Sequence, residues 1–320
     1  MGAAELESLT RVVDRIRTNI GTVIEGKPEV VTSTLVVLLA GGHLLIEDVP
    51  GVGKTMLSKA LARSIDCSVR RIQFTPDLLP SDVTGVSVFN QDTRQFEFRP
   101  GGVFANIVVG DEINRASPKT QSALLECMEE RQVTVDNATY VLDTPFMVIA
   151  TQNPVEMEGT YPLPEAQRDR FMARVSVGYP VENAELAMLR SHASASPLDD
   201  LEPVTDAAEL RKLADIVETV HVADSVLGYA IGIADATRRS ADLVLGASPR
   251  ATLHLVRAAK AWAAMNGRDY VSSDDLADLA EPVLAHRLVP GVEAAMAGRT
   301  ASDIVRRIVQ AVPSPEARRA

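Results

Sequence analysis

The amino-acid sequence predicts an α/β fold with a parallel sheet, followed by a smaller all-helical region. Up to about residue 178, five short apolar runs alternate with helical patterns, which is typical of buried parallel strands joined by crossover helices. The runs are HLLI, VRRIQF, NIVVG, FMVIAT and ARVSV. We therefore expect a core over residues 1–180, a polar linker over 181–204 and a helical domain over 205–320.

Three further elements follow from their own patterns. Residues 5–24 carry apolar side chains at helical spacing, so an amphipathic helix opens the chain. Residues 85–101 and 131–143 alternate around central turn residues, which predicts two hairpins inserted into the core. In the helical domain, RATLHLVRAAKAWAAM is the clearest amphipathic helix.

Composition excludes several classes of protein. The net charge of −11 disfavours bulk binding to nucleic acid or to an anionic membrane. Two cysteines imply no disulfide framework, and the five histidines show no metal-ligand spacing. The longest apolar run is too short to span a bilayer, and the N-terminus lacks a signal pattern. We expect a soluble, cytoplasmic protein without membrane insertion.

The stretch LLIEDVPGVGKTML, residues 44–57, ends like a phosphate-binding loop, G-x-x-x-x-G-K-[ST], although Asp48 replaces the first glycine. Such a loop directs backbone N–H groups at phosphates from a helix N-terminus. An accidental glycine–lysine turn is the alternative, and the apolar run before it and the helical pattern after it argue against that. The residues predicted to bind the nucleotide are Pro50, Gly51, Val52, Gly53, Lys54, Thr55 and Met56.

Two later strands end in polar residues that complete such a site. NIVVGDEINRA is a buried strand ending in Asp111 and Glu112. We expect Asp111 to organise Mg²⁺ together with the Thr55 hydroxyl, and Glu112 to deprotonate the attacking water. FMVIATQNP ends in Asn153, whose amide is placed to hold that water; an Asn-Pro turn is the alternative interpretation.

Four segments closely resemble the MoxR group of AAA+ ATPases. They are EDVPGVGKT, VVGDEINRASPKTQSALLECMEE, VIATQNPVEMEGTYPLPEAQRDRF and GASPRATLHLVRAAKAWAAMNGRDYV, and the likeness extends from about residue 20 to 290. It implies an αβα core with strand order 5-1-4-3-2, a helical lid and a ring, expected to be a hexamer. It also implies that ATP and Mg²⁺ are the cofactors.

The same resemblance suggests roles for two arginines. Arg170 matches the arginine finger that completes a neighbouring subunit's site, and Arg250 matches the lid arginine that senses the γ-phosphate. Arg168 adds a second cation beside Arg170, so the choice of finger stays open between them. Gln73, at the end of VRRIQF, is a candidate to hold Glu112 off the water, or else an ordinary strand-end hydrogen bonder.

The function implied is chaperone-like remodelling or activation of client proteins, with a von Willebrand factor A domain protein as a possible partner. A nucleic-acid motor is one alternative, which the acidic balance and the scarcity of basic residues in the hairpins disfavour. An ATP-gated scaffold that turns over slowly is another, and a measured turnover rate decides between them.

Overall fold

The computed structural model describes residues 2–24, 26–48, 53–153, 159–179 and 198–315. Its first half contains five strands that form one sheet: β1 (Leu44–Glu47), β2 (Val69–Gln73), β5 (Ile107–Asp111), β8 (Met147–Gln152) and β9 (Ala173–Val175). They pair in the order β2-β5-β8-β1-β9, and every pair is parallel. When these five strands are numbered 1 to 5 in chain order and the sheet is described from β9, the order is 5-1-4-3-2. The predicted strand order is therefore confirmed.

Helices cover both faces of the sheet. They are α1 (Ala3–Gly21), α2 (Pro28–Leu39), α3 (Lys54–Ile65), α4 (Pro80–Thr84), α5 (Pro118–Glu130) and α6 (Glu165–Arg168). Side chains alternate along a strand, so Leu44 and Ile46 pack with α1, α2 and α3 while Leu45 packs on the other face with α5. Burial on both faces explains why the strands appear as continuous apolar runs.

The two predicted hairpins are present. One consists of β3 (Gly85–Asn90) and β4 (Gln95–Pro100), and the other of β6 (Gln132–Val135) and β7 (Ala138–Val141). The rings of Phe98 and Tyr140 stack across them, with centroids 3.8 Å apart and planes at 13°. The two hairpins therefore contact each other beside the main sheet.

The C-terminal part is mostly helical. Its helices are α7 (Ala207–Glu218), α8 (Asp224–Arg239), α9 (Pro249–Met265), α10 (Ser273–Leu284), α11 (Val292–Met296) and α12 (Ala301–Ala311), with a 3₁₀ turn at Ala285–Arg287. The expected helical region is confirmed, and it also contains one short strand pair. Two very short strands, β10 (Leu243–Leu245) and β11 (Val289–Pro290), pair antiparallel, and neither is long enough to give a recognisable sequence pattern.

The segment expected to link the two parts lies partly outside the described residues. Its described end is packed: Leu198 is buried, and Val204 N–H donates to the Ser64 carbonyl on α3. Helices of the lid and the N-terminal helices also share one apolar cluster, in which α9 packs on α2. Within the described ranges, no helix has the combination of length and apolar character needed to cross a bilayer.

Candidate active site

A cavity of about 220 Å³ opens at the carboxyl ends of β5 and β8, against the N-terminus of α3. Parallel α/β sheets bind ligands at this edge. Its lining includes seven residues from the predicted set: Gly53, Lys54, Thr55, Met56, Asp111, Glu112 and Asn153. Pro50, Gly51 and Val52 lie outside the described residues. The structure thus brings these seven residues together, and the role of each remains a prediction.

Helix α3 begins immediately after Gly53, which lies in the left-handed region at φ 90°. Glycine adopts this conformation at little cost, whereas another residue would be strained. A Cβ at this position would meet no heavy atom within 4 Å, so the backbone angle sets the requirement rather than space. The turn leaves the first N–H groups of α3 facing the cavity edge, where an anion is favoured.

The Asp48 carboxylate is hydrogen-bonded to the exit of a neighbouring strand. Asp48 is 8% exposed, and its Oδ2 accepts hydrogen bonds from the Ser176 hydroxyl at 3.0 Å and from the Gly178 backbone N–H. These donors follow β9, the strand next to β1. Asp48 thus fixes the exit of β1 to the exit of β9 by charge-assisted hydrogen bonds.

The Lys54 side chain turns back across the loop. Its Nζ donates to the Asp48 backbone carbonyl at 2.8 Å. Partial burial lowers the pKa of the Lys54 ammonium from its ordinary value, and the carboxylates of Asp48, Asp111 and Glu112 act in the opposite direction. These carboxylates help to hold a cation beside the helix N-terminus.

Asp111 is the most heavily bonded carboxylate in the cavity. One oxygen accepts from the Thr151 hydroxyl at 3.2 Å, and the other from the Thr55 hydroxyl at 3.2 Å and from Arg71 Nε at 2.6 Å. The Thr55 hydroxyl and the Asp111 carboxylate therefore lie side by side, as expected of groups that share a metal ion.

This donor set fits Mg²⁺ only together with a nucleotide. The described residues contain no group of three or more His, Cys, Asp or Glu side chains that could hold a metal alone. Mg²⁺ typically takes one or two protein oxygens and completes its shell with phosphate and water. Thr55 and Asp111 offer that number, with the Arg71 guanidinium as the cation that balances Asp111 in this structure.

Glu112 is held in an unusual conformation beside them. Its φ is 56°, a region that non-glycine residues seldom occupy and that is often found at functional sites. Its carboxylate accepts from Gln73 Nε2 at 2.8 Å and from Arg115 at 3.2 Å, while its N–H donates to the Thr151 hydroxyl. Both side-chain donors fix the orientation of the carboxylate.

Sequence reasoning missed Arg71, Thr151 and Arg115. Arg71 was detectable, because β2 lies next to β5 and residues two apart share a face, which places Arg71 beside Gln73. Thr151 stands two residues before Asn153 at the same strand end. Arg115 carries no such signal, since a short 3₁₀ turn after Glu112 brings it back.

The structure gathers the predicted arginines at a different place. Arg170 and Arg250 both pair with the Glu129 carboxylate at the end of α5, Arg170 through Nε at 3.0 Å. Arg168 pairs with Glu165 within its own turn, at 3.5 Å. None of the three lines the cavity, as far as the described residues show. The arginine pair on Glu129 thus joins the core to α9 of the lid.

Both parts of the chain are similar to known proteins. Residues 43–173 match the ATPase family associated with various cellular activities (AAA), and residues 235–308 match the AAA lid domain. The chain is 50% identical over 314 residues to the uncharacterized protein YeaC of Bacillus subtilis, covering 98% of both chains. It is 38% identical over 323 residues to Chaperone MoxR1 of Mycobacterium tuberculosis, covering 98% of this chain and 84% of that one.

A solved structure gives the same result. The crystal structure of a proposed ATPase from Cytophaga hutchinsonii matches with a TM-score of 0.90 at 38% identity, covering 97% of each chain. Fold, lid and cavity define an ATP-hydrolysing enzyme of the AAA+ class. Within that class, the chain belongs to the MoxR family.

Proposed function

We propose that this chain binds ATP with Mg²⁺ and hydrolyses it at the boundary between two copies of itself in a ring, expected to be a hexamer. The proposal is supported by the position of two predicted arginines outside the cavity. The cavity gathers Lys54, Asp111 and Glu112, whereas Arg170 and Arg250 lie together on Glu129, outside its lining. The cavity lining lacks these two arginines, and two adjoining copies would bring the arginine pair of one to the cavity of the other.

Each lining group has a role in this scheme. Lys54 and the N–H groups of α3 stabilise the phosphates, and Mg²⁺, held by Thr55 and Asp111, offsets phosphate charge. Glu112 takes the proton of the attacking water, which the Asn153 side chain orients. Gln73 donates a hydrogen bond to the Glu112 carboxylate. It is therefore a candidate to keep Glu112 from the attacking water until the neighbouring copy binds.

The neighbour's Arg170 would then meet the γ-phosphate, with Arg250 beside it. A guanidinium at this position stabilises charge that spreads over the phosphate oxygens in the transition state, an effect of about 10³–10⁵-fold in other nucleotide hydrolases. In the single chain, both arginines pair with the Glu129 carboxylate. The γ-phosphate would compete with Glu129 for them.

We propose that the ring remodels or activates client proteins in the cytoplasm. One relative is named as a chaperone, and a von Willebrand factor A domain partner is proposed on the family resemblance. The composition of the hairpin surfaces favours a protein client over a nucleic-acid client. They expose Val86, Phe89, Phe96 and Val141, and hold only two basic residues within their strands and turns, Arg94 and Arg99.

Mixing two inactive variants tests the shared site. Lys54→Ala has a defective loop and an intact finger, and Arg170→Ala has the reverse. In a co-assembled mixture, about a quarter of the boundaries pair a working loop with a working finger, so activity should return. Co-assembly is verified by co-purification of differently tagged chains. Rings that co-purify without activity would refute Arg170 as the shared group and make Arg168 the next candidate.

A further inference from the structure

One buried arginine outside the cavity joins the lid to the turn that holds Arg170. Arg287, in the 3₁₀ turn after α10, is 3% exposed. Its Nε donates to Asp169 Oδ1 at 2.9 Å, and its terminal nitrogens donate to the backbone carbonyls of Asp169 at 3.1 Å, Phe171, and Met172 at 3.2 Å. These acceptors surround Arg170 on both sides.

The Asp169 carboxylate extends the connection into the lid. The Ser248 hydroxyl donates to it at 2.8 Å, and Ser248 is also the N-cap of α9. Arg250 follows two residues later, with its guanidinium 3.9 Å from the same carboxylate. The turn that holds Arg170 and the helix start that holds Arg250 are therefore joined through Asp169.

Only a guanidinium can make this set of contacts. Its planar fork presents five N–H donors in fixed directions, whereas an ammonium is a single point of charge on a flexible stem. Burial lowers the pKa of Arg287 to about 10, with Asp169 opposing that shift, so the group stays charged at neutral pH. A charge this deeply buried is stabilised by its hydrogen bonds to the turn.

We infer that Arg287 is a positioning residue for the reaction: by clamping the turn 169–172 it sets the direction of Arg170 and transmits lid position to the arginine presented to the neighbouring copy. The inference rests on the proposed shared site. It adds a buried residue outside the cavity lining that controls hydrolysis in the adjoining subunit. The alternative is that Arg287 only holds the lid to the core.

Arg287→Lys keeps the charge and removes the fork. We expect ATP affinity of the variant's own cavity to stay within about threefold of wild type by calorimetry, while kcat falls about tenfold or more because Arg170 is misplaced. Arg268→Lys is the matched control. Arg268 makes a two-pronged pair with buried Asp275 elsewhere in the lid, so the same change there should leave kcat within about twofold.

Mixed rings separate positioning from stability. Arg287→Lys mixed with Lys54→Ala should regain about a quarter of wild-type activity, since the second chain supplies a well-placed finger. Arg287→Lys mixed with Arg170→Ala should regain none, because both fingers are defective. If Arg287→Lys does not fold or bind ATP, Asp169→Asn, which weakens the clamp from the other side, has the same expected results.

Two outcomes would overturn the inference. One is an unchanged kcat in folded Arg287→Lys, or in Asp169→Asn where that variant replaces it. The other is that Lys54→Ala restores activity when mixed with Arg170→Ala and does not restore it when mixed with Arg287→Lys or Asp169→Asn. If neither pair is rescued although the chains co-purify, Arg170 is refuted as the shared group, and the inference about Arg287 falls with it.

Discussion

At the scale of single residues, Asp48 shows how a departure from a motif can be structural. The side chain that replaces the loop glycine is occupied by Ser176 and Gly178 on the neighbouring strand exit. Its backbone carbonyl accepts a hydrogen bond from Lys54 of the loop. A carboxylate with these partners is placed to hold two strand ends together rather than to repel phosphates.

Asp48→Gly should therefore leave ATP affinity within a few-fold of wild type. The cost should appear in stability instead, as a loss of about 1–3 kcal/mol in the free energy of unfolding, because two donors lose their acceptor. Calorimetric titration and denaturant unfolding measure the two effects. A tenfold gain in affinity would mean that the carboxylate faces the phosphates.

Lys54→Ala should weaken ATP binding by about 2–4 kcal/mol, since it removes a charge-assisted contact in a partly buried site. Lys59→Ala is the matched control, because Lys59 lies on the exposed face of the same helix. Calorimetry should separate the two variants clearly. Equal affinities in both would remove the basis for the cavity assignment.

Glu112→Gln keeps the shape of the side chain and removes its ability to accept a proton. ATP should still bind, and hydrolysis should fall by about 10²-fold or more. Glu130→Gln, an exposed position at the end of α5, controls for loss of charge. Turnover near the wild-type rate would show that another group acts as the base.

At the scale of elements, the strand ends could be read from the sequence and the arginine contacts could not. Buried parallel strands give continuous apolar runs, so the sequence shows where β5 and β8 end. Asp111 and Asn153 stand at these ends, which lie at the same edge of the sheet. The bonds of Asp48 to Ser176 and of Arg250 to Glu129 join residues more than a hundred positions apart. No local pattern encodes such pairings, because they depend on how whole elements pack.

Buried histidines tie elements together and make stability depend on pH. His43 accepts from the Val148 N–H of β8 through Nδ1, and its Nε2 lies 3.0 Å from the Met128 carbonyl of α5. Burial lowers its pKa to about 4, and that of His254 to about 3. Unfolded histidines take up protons near pH 6.5, so acid favours the unfolded chain before the folded one can be protonated.

The free energy of unfolding should thus fall as pH decreases from 6.5 towards 4, by roughly 3 kcal/mol for His43 alone. Denaturant titrations across this range measure the slope. His43→Asn retains an acceptor and cannot titrate, so its slope should be shallower than that of wild type. Identical slopes would show that His43 does not contribute.

At the scale of the whole molecule, both apolar and polar contacts hold the lid to the core. Its helices share an apolar cluster with α1 and α2, and the network of Arg287, Asp169 and Ser248 joins it to the turn that holds Arg170. Movement of the lid would therefore reach the arginine pair. The central claim, that one copy completes the active site of the next, makes activity a property of the assembly.

The dependence of specific activity on protein concentration tests that claim most directly. ATP turnover per chain is measured over a wide dilution series of the wild-type protein, with the assembled fraction followed by light scattering or sedimentation under the same conditions. The account predicts that turnover per chain falls on dilution in parallel with the assembled fraction, because a dissociated cavity has no arginine from a neighbour. Constant turnover per chain after the assembly has dissociated into single copies would contradict it.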